Sequence, residues 1–152
     1  MREILFMAWD KNNEYGMCRV MCMDWVNSEA CLCIDEDRAS QVNLKFDRLE
    51  ILQYIGQKDK SDKKIFAGHI IKGHYFIEVL ASNLGVEEGE EEKIFLCQWN
   101  DYLAEYVFRT QPNNENDVVQ KTYHDFSDEG IEIIGDIYTT PELIKESIKE
   151  II

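Results

Sequence analysis

A chain of 152 residues with 45% hydrophobic and 11% aromatic content has enough apolar surface to build one folded domain, which argues against a disordered resting state. Its 30 acidic against 16 basic residues, a net charge of −14, produce a field that repels phosphate and disfavour sequence-independent nucleic-acid binding. No apolar run approaches the roughly 18 residues of a membrane span, and Met1-Arg2-Glu3-Ile4 does not open a secretory leader, so a cytoplasmic protein with no membrane partner is expected.

In chain order, Glu3 to Trp9 is β-compatible, Asp10-Lys11-Asn12-Asn13 is a turn, and Met17 to Val26 returns as a second strand, together a hairpin. Asn27-Ser28-Glu29 turns the chain into a short strand, Ala30 to Ile34, followed by a solvated loop at Asp35 to Arg38. Val42, Leu44 and Phe46 alternate with Asn43, Lys45 and Asp47, the period of a half-buried strand. The central stretch, Ile51 to Gly73, reads as strand, charged turn and strand, with Gly68 at a sharp bend. His74 to Leu80 extends this β unit, and the acidic run Glu87 to Glu92 is expected as an exposed loop tip. Lys93 to Trp99 and Glu105 to Thr110 are further strands, and Gln111 to Asp117 is a polar loop. Ile131 to Tyr138 is a last strand broken at Gly135. Thr140-Pro141-Glu142 is a helix-start pattern, and Leu143, Ile144, Ile148 and Ile151 recur at helical spacing, predicting a C-terminal helix over 141–151. Its apolar stripe docks on the chain's own sheet or on a second subunit; the latter makes these four residues the candidate oligomer contact.

The chemistry-bearing residues form no recognisable constellation. Cys18, Cys22, Cys31 and Cys33 lie close in sequence, but the C-x-C spacing is too tight for a zinc knuckle, and with Cys97 the thiols number five. Small buried hydrophobes are the expected role of these residues, and neither a disulfide framework nor a metal is expected. His69 and His74 could approach each other on a bend, yet no acidic third ligand is placed beside them by sequence. No phosphate-cradling glycine motif or nucleophile motif occurs, so no cofactor and no catalysis are expected. Lys58, Lys60, Lys63, Lys64 and Lys72 gather positive charge around the central turn, interleaved with Asp59 and Asp62. They are the candidate interaction residues of a nucleic-acid-binding alternative.

Three blocks carry a resemblance. Gln53-Tyr54-Ile55-Gly56-Gln57-Lys58-Asp59-Lys60 through Ile65-Phe66-Ala67-Gly68-His69-Ile70-Ile71-Lys72 resembles the signature of the YopX family of phage and prophage proteins. The opening Met1 to Lys11 and the late Ile133-Ile134-Gly135-Asp136-Ile137-Tyr138 through Leu143 agree with it in the same order. At the turn, Ser61-Asp62 stands where the family more usually has Asn-Gly, which departs from the pairing a two-residue type I′ turn favours. The resemblance implies an SH3-like small β-barrel core around the central stretch; with the additional strands and the C-terminal helix read above, a mainly β, α+β fold is expected. A single domain over 1–152 is expected, with a hairpin region at 1–48, the barrel core at 49–138 and the helix at 141–151. It implies a family with no established activity. The expected role is therefore a non-catalytic interaction or assembly protein of a phage in its bacterial host's cytoplasm, meeting a host protein or further copies of itself.

Overall fold

A computed structural model describes residues 3–35, 40–81, 83, 85–110 and 119–144, with backbone alone at 128 and 129. The chain separates into two compact units, Met1–Gly56 and Gln57–Ile152. Regular structure is almost entirely strand, in two antiparallel sheets.

The first unit contains β1 (Phe6–Asp10), β2 (Met17–Asp24), β3 (Glu29–Cys33), β4 (Gln41–Lys45), a 3₁₀ turn at Phe46–Arg48 and the start of β5 (Leu49–Lys58). β1 to β4 form a meander, and β5 returns to pair with β1, giving the order β4-β3-β2-β1-β5. Alternation decides most of which side chains go inside: Ala8, Cys18, Ala30, Leu32 and Leu44 are buried together with Leu49, while their strand neighbours, Cys33 apart, are more exposed.

One charged pair belongs to this unit's interior. Asp10 ends β1 with 0% exposure. Arg48, delivered by the 3₁₀ turn, grips its carboxylate through Nε to Oδ1 at 2.8 Å and Nη2 to Oδ2 at 2.9 Å. The same carboxylate accepts the backbone N–H groups of Asn12, Glu14 and Tyr15 at 3.1, 3.0 and 3.1 Å. The Asp10–Asn13 turn expected from sequence is thus organised by its first residue. Arg48, foremost, and the three backbone donors hold this carboxyl well below the usual carboxylate range, although burial pushes the other way.

The second unit contains β6 (Lys64–Phe66), β7 (His69–Leu80), β8 (Val86–Asn100), β9 (Glu105–Thr110), β10 (Gln120–Lys121), a 3₁₀ turn at Tyr123–Asp125 and β11 (Phe126–Asp136). Its sheet runs β10-β9-β8-β7-β11. One face carries an edge-to-face aromatic cluster in which Phe126 lies 5.1 Å from Phe95 and 5.4 Å from Phe108, with Tyr75 beside it. Phe126 reaches Phe95 over Gly73, which leaves the ring its space. The opposite face buries Ile70 and Leu96 under Ile134, Ile137, Leu143 and Ile144.

Among the described residues neither sheet closes into a barrel, so two open sheets stand where the resemblance implied an SH3-like core. The start of the C-terminal helix is also corrected. Only Pro141–Leu143 is a 3₁₀ turn, and Ile144 is already extended at φ −118°, ψ 144°. Thr140 does not cap it, because its hydroxyl accepts the Asp136 N–H at 3.0 Å and donates to the Asp136 carbonyl at 3.1 Å. Burying Ile144 against the sheet, at 4% exposure, outweighs the local start signal. Residues 145–152 of the expected helix lie outside the described residues. A third correction concerns Glu87 to Glu92, which is strand, not loop, within β8. Each residue there has a cross-strand partner on β7, from Val79↔Glu87 to His74↔Glu92, and backbone pairing prevails over the low strand propensity of glutamate.

The bend at Gly68 is as read: its φ is +94°, its N–H donates to the Cys97 carbonyl at 2.7 Å, and its carbonyl accepts the Ile137 N–H at 3.0 Å. A β-branched residue cannot adopt that φ cheaply. Gly68→Val should therefore cost more than about 1 kcal/mol, whereas Ser61→Ala at the exposed tip should stay within about 0.5 kcal/mol, as measured by urea denaturation.

Candidate interaction surfaces

The lysine-bearing turn is held by a buried aspartate. Asp59, 8% exposed, accepts the backbone N–H groups of Ser61 and Lys63 on Oδ1, both at 2.9 Å, and that of Ile133 in β11 on Oδ2 at 3.1 Å. Burial pushes this carboxyl up, but the three backbone donors and the charge of Lys63 pull it down further, leaving it below its ordinary value. Lys60 N–H adds a 2.8 Å bond to the Ile131 carbonyl. Asp62 takes the left-handed conformation, φ +65°, at the place where the family more usually has glycine. Side-chain hydrogen bonding thus replaces the missing Asn-Gly turn.

The five candidate lysines are only partly brought together. Lys58 and Lys60 line one cleft of about 160 Å³ with Tyr123, His124, Ser127 and Ile131, and Tyr123 Oη donates to the Lys58 carbonyl at 3.0 Å. Lys63 is exposed on the turn, Lys64 begins β6, and Lys72 is away on β7. Three of the five sit on carboxylates: Lys58 on Asp62 at 3.3 Å, Lys60 on Glu132 at 3.3 Å and Lys72 on Glu92 at 3.2 Å. Tyr123 and His124 had no sequence signal; the only local hint is the Thr122–Asp125 capping pair that forms their 3₁₀ turn.

The histidines do not meet. They are an odd number of residues apart on one unbroken strand, so they point to opposite faces of β7. His74 Nε2 pairs with Glu92. His69 Nδ1 accepts the Phe66 N–H at 3.0 Å, and burial lowers its pKa despite Asp136 and Asp59 nearby. Protonation would convert that acceptor into a donor. Because the unfolded chain binds this proton more readily, the stability from neutral His69 is full above about pH 6.5 and falls as the pH drops below it. A first acid-induced loss of stability is therefore expected as the pH falls below about 6.5, ahead of the carboxylate phase below about pH 4. Denaturant midpoints across this range should show it, and His69→Gln should remove the first phase.

Of the expected oligomer contact, Leu143 and Ile144 are packed on the chain's own core, and Ile148 and Ile151 lie outside the described residues. Cys18, Cys33 and Cys97 are buried, Cys22 is exposed and Cys31 is half-buried. Among the described residues, no group of three or more His, Cys, Asp or Glu side chains is placed to hold a metal ion.

A surface that sequence reading missed is the β7–β8 arm. β11 pairs with β7 no further than Tyr75, and β9 meets β8 only from Phe95. Among the described residues, Phe76–Leu80 and Val86–Glu90 therefore pair only with each other, a two-stranded arm with both backbone edges open. One face carries Phe76, Glu78 and Leu80 opposite Glu90, Glu88 and Val86. Leu80 and Val86 are 85% and 61% exposed. Glu78 and Glu88 face each other directly, an unfavourable like-charge pair.

A family model described as YopX protein matches residues 5–145. The crystal structure of protein EF1440 from Enterococcus faecalis is similar, with a TM-score of 0.55, 19% sequence identity, and coverage of 95% of this chain and 100% of that one. At that identity the likeness concerns the fold alone. No curated protein matches the chain.

Proposed function

The chain belongs to the YopX family, and on that premise we propose that it is a non-catalytic interaction protein of a phage or prophage. In this reading it works in the cytoplasm of the bacterial host, and a host protein docks on the β7–β8 arm. The observation that carries the reading is the exposure of Leu80 and Val86 at the end of a two-stranded arm with open edges. Such edges recruit an extended segment by main-chain hydrogen bonding, and apolar side chains add affinity. The opposed Glu78 and Glu88 favour a partner with lysine or arginine beside its apolar residues, since a cation between them turns repulsion into attraction. A second copy fits less well: a net charge of −14 opposes self-association, and Leu143 and Ile144 are engaged within the chain.

The alternative, nucleic-acid binding through the central lysines, is weakened by the carboxylates already on Lys58, Lys60 and Lys72. Few phosphate contacts remain, and affinity from so few falls steeply with salt.

Capture from host lysate by immobilised protein, beside a gel shift with duplex DNA and light scattering, tests the reading. The wild type should retain a specific protein at physiological salt, Leu80→Asp with Val86→Asp should lose it with the fold intact, and no DNA should shift. A protein that shifts DNA at physiological salt, and stops doing so when Lys63 and Lys64 become Glu, would put the alternative first.

A further inference from the structure

We propose that Cys22 and Cys31 form a dithiol site that reacts with low-molecular-weight disulfides and closes into a cross-strand disulfide. The two residues are direct partners in the antiparallel register of β2 and β3. Opposed residues in such a ladder have Cα atoms roughly 4.5–5.5 Å apart, inside the roughly 4.4–6.8 Å range that a disulfide spans. Cys31 Sγ donates to Gln41 Oε1 at 3.4 Å, and the neighbouring Cys22 thiol acts on its ionisation. Both lie away from the core, because the flanking Ala30 and Leu32 fill it. The register shift between Val20 and Cys22 gives β2 a local irregularity, where strand geometry adjusts more readily than in a regular ladder.

Access differs sharply among the five thiols. Cys22 is exposed and lines an open groove of about 350 Å³ with Ile4, Met21, Met23 and Trp25. Cys18 and Cys33 are buried with their thiols donating to the Tyr15 carbonyl at 3.4 Å and the Asp35 carbonyl at 2.8 Å. Cys97 is fully buried, and burial pushes its thiol far up. Reactivity follows thiolate character and access, so Cys22 attacks first. Its thiolate displaces one thiolate from the small disulfide and becomes a mixed disulfide. Cys31 then loses its proton and attacks the Cys22 sulfur, expelling the second small thiolate. Two protein thiols are oxidised to one disulfide, and the small disulfide takes up both electrons to become two thiols. Burial and the neighbouring Cys22 raise the Cys31 thiol, which leaves it the slower of the two to attack a small disulfide first.

The test is incubation of the folded full-length chain with oxidised glutathione, followed by intact and peptide mass spectrometry. The expected product has lost two hydrogens, links the Cys22 and Cys31 peptides, retains no glutathione, and returns to five free thiols with dithiothreitol. Cys31→Ser should trap glutathione on Cys22, and Cys22→Ser should take up none. A wild-type chain that keeps glutathione on Cys22, links another pair or does not react would overturn the proposal. None of these outcomes bears on docking at the arm, which uses different residues.

Discussion

Asp10→Ala should destabilise the protein by about 3–5 kcal/mol, the largest loss expected of any single polar substitution in the chain. The carboxylate is fully buried, and its removal leaves three backbone N–H groups without their acceptor at the first turn and Arg48 with Glu14 alone. Glu14→Ala is the control, since Glu14 meets the same guanidinium at 2.8 Å from an exposed position; it should cost no more than about 1 kcal/mol. Urea denaturation of the two variants measures the difference. Equal effects would mean that Asp10 is an ordinary surface partner. The lowered carboxyl of Asp10 also fixes a pH dependence: its stabilisation is complete above the unfolded value near pH 4 and disappears as the pH falls through the folded value.

Gly73→Val should cost about 3 kcal/mol for a steric reason. A Cβ at this position would lie 2.4 Å from Phe126 Cε1 and 3.2 Å from Phe95 Cδ2. Those rings belong to a buried edge-to-face aromatic cluster, and the Phe126 ring must shift to admit the side chain. Gly85→Ala provides the contrast, because its Cβ would meet nothing nearer than Asn83 Oδ1 at 3.7 Å, and it should stay within about 0.5 kcal/mol. Thermal melts of both variants decide it. A Gly73→Val protein that melts with the wild type would show that Phe126 does not need this gap.

These two positions also show what was legible in the sequence. The strand pattern was readable wherever one face is buried and the other wet, as at Val42 and Leu44, and turns marked by Gly or Asn were readable at Asn13 and Gly68. Strand order and closure were not, because β5 pairs back to β1 across four intervening segments and no local pattern encodes that choice. The barrel implied by the resemblance failed on that long-range pairing. The start of the helix failed for a related reason: Thr140-Pro141-Glu142 is a valid local start, but burying Leu143 and Ile144 on the sheet overrides it. The acidic run misled because composition describes solubility, whereas pairing depends on what β7 presents opposite. Asp10 and Asp59 were read as turn residues, which they are, but their burial depends on Arg48 and Ile133, distant in sequence. The lysines were visible as a cluster with Asp62 among them, whereas Glu132 and Glu92, which meet Lys60 and Lys72, were not.

Hydrogen exchange, measured on the free protein and on the complex captured from host lysate, tests the central claim most directly. Residues 76–80 and 86–90 should exchange fast in the free chain, since among the described residues their outer edges are open, and slow markedly in the complex while residues 58–64 stay unchanged. Protection confined to residues 58–64, with the arm exchanging as before, would contradict the account.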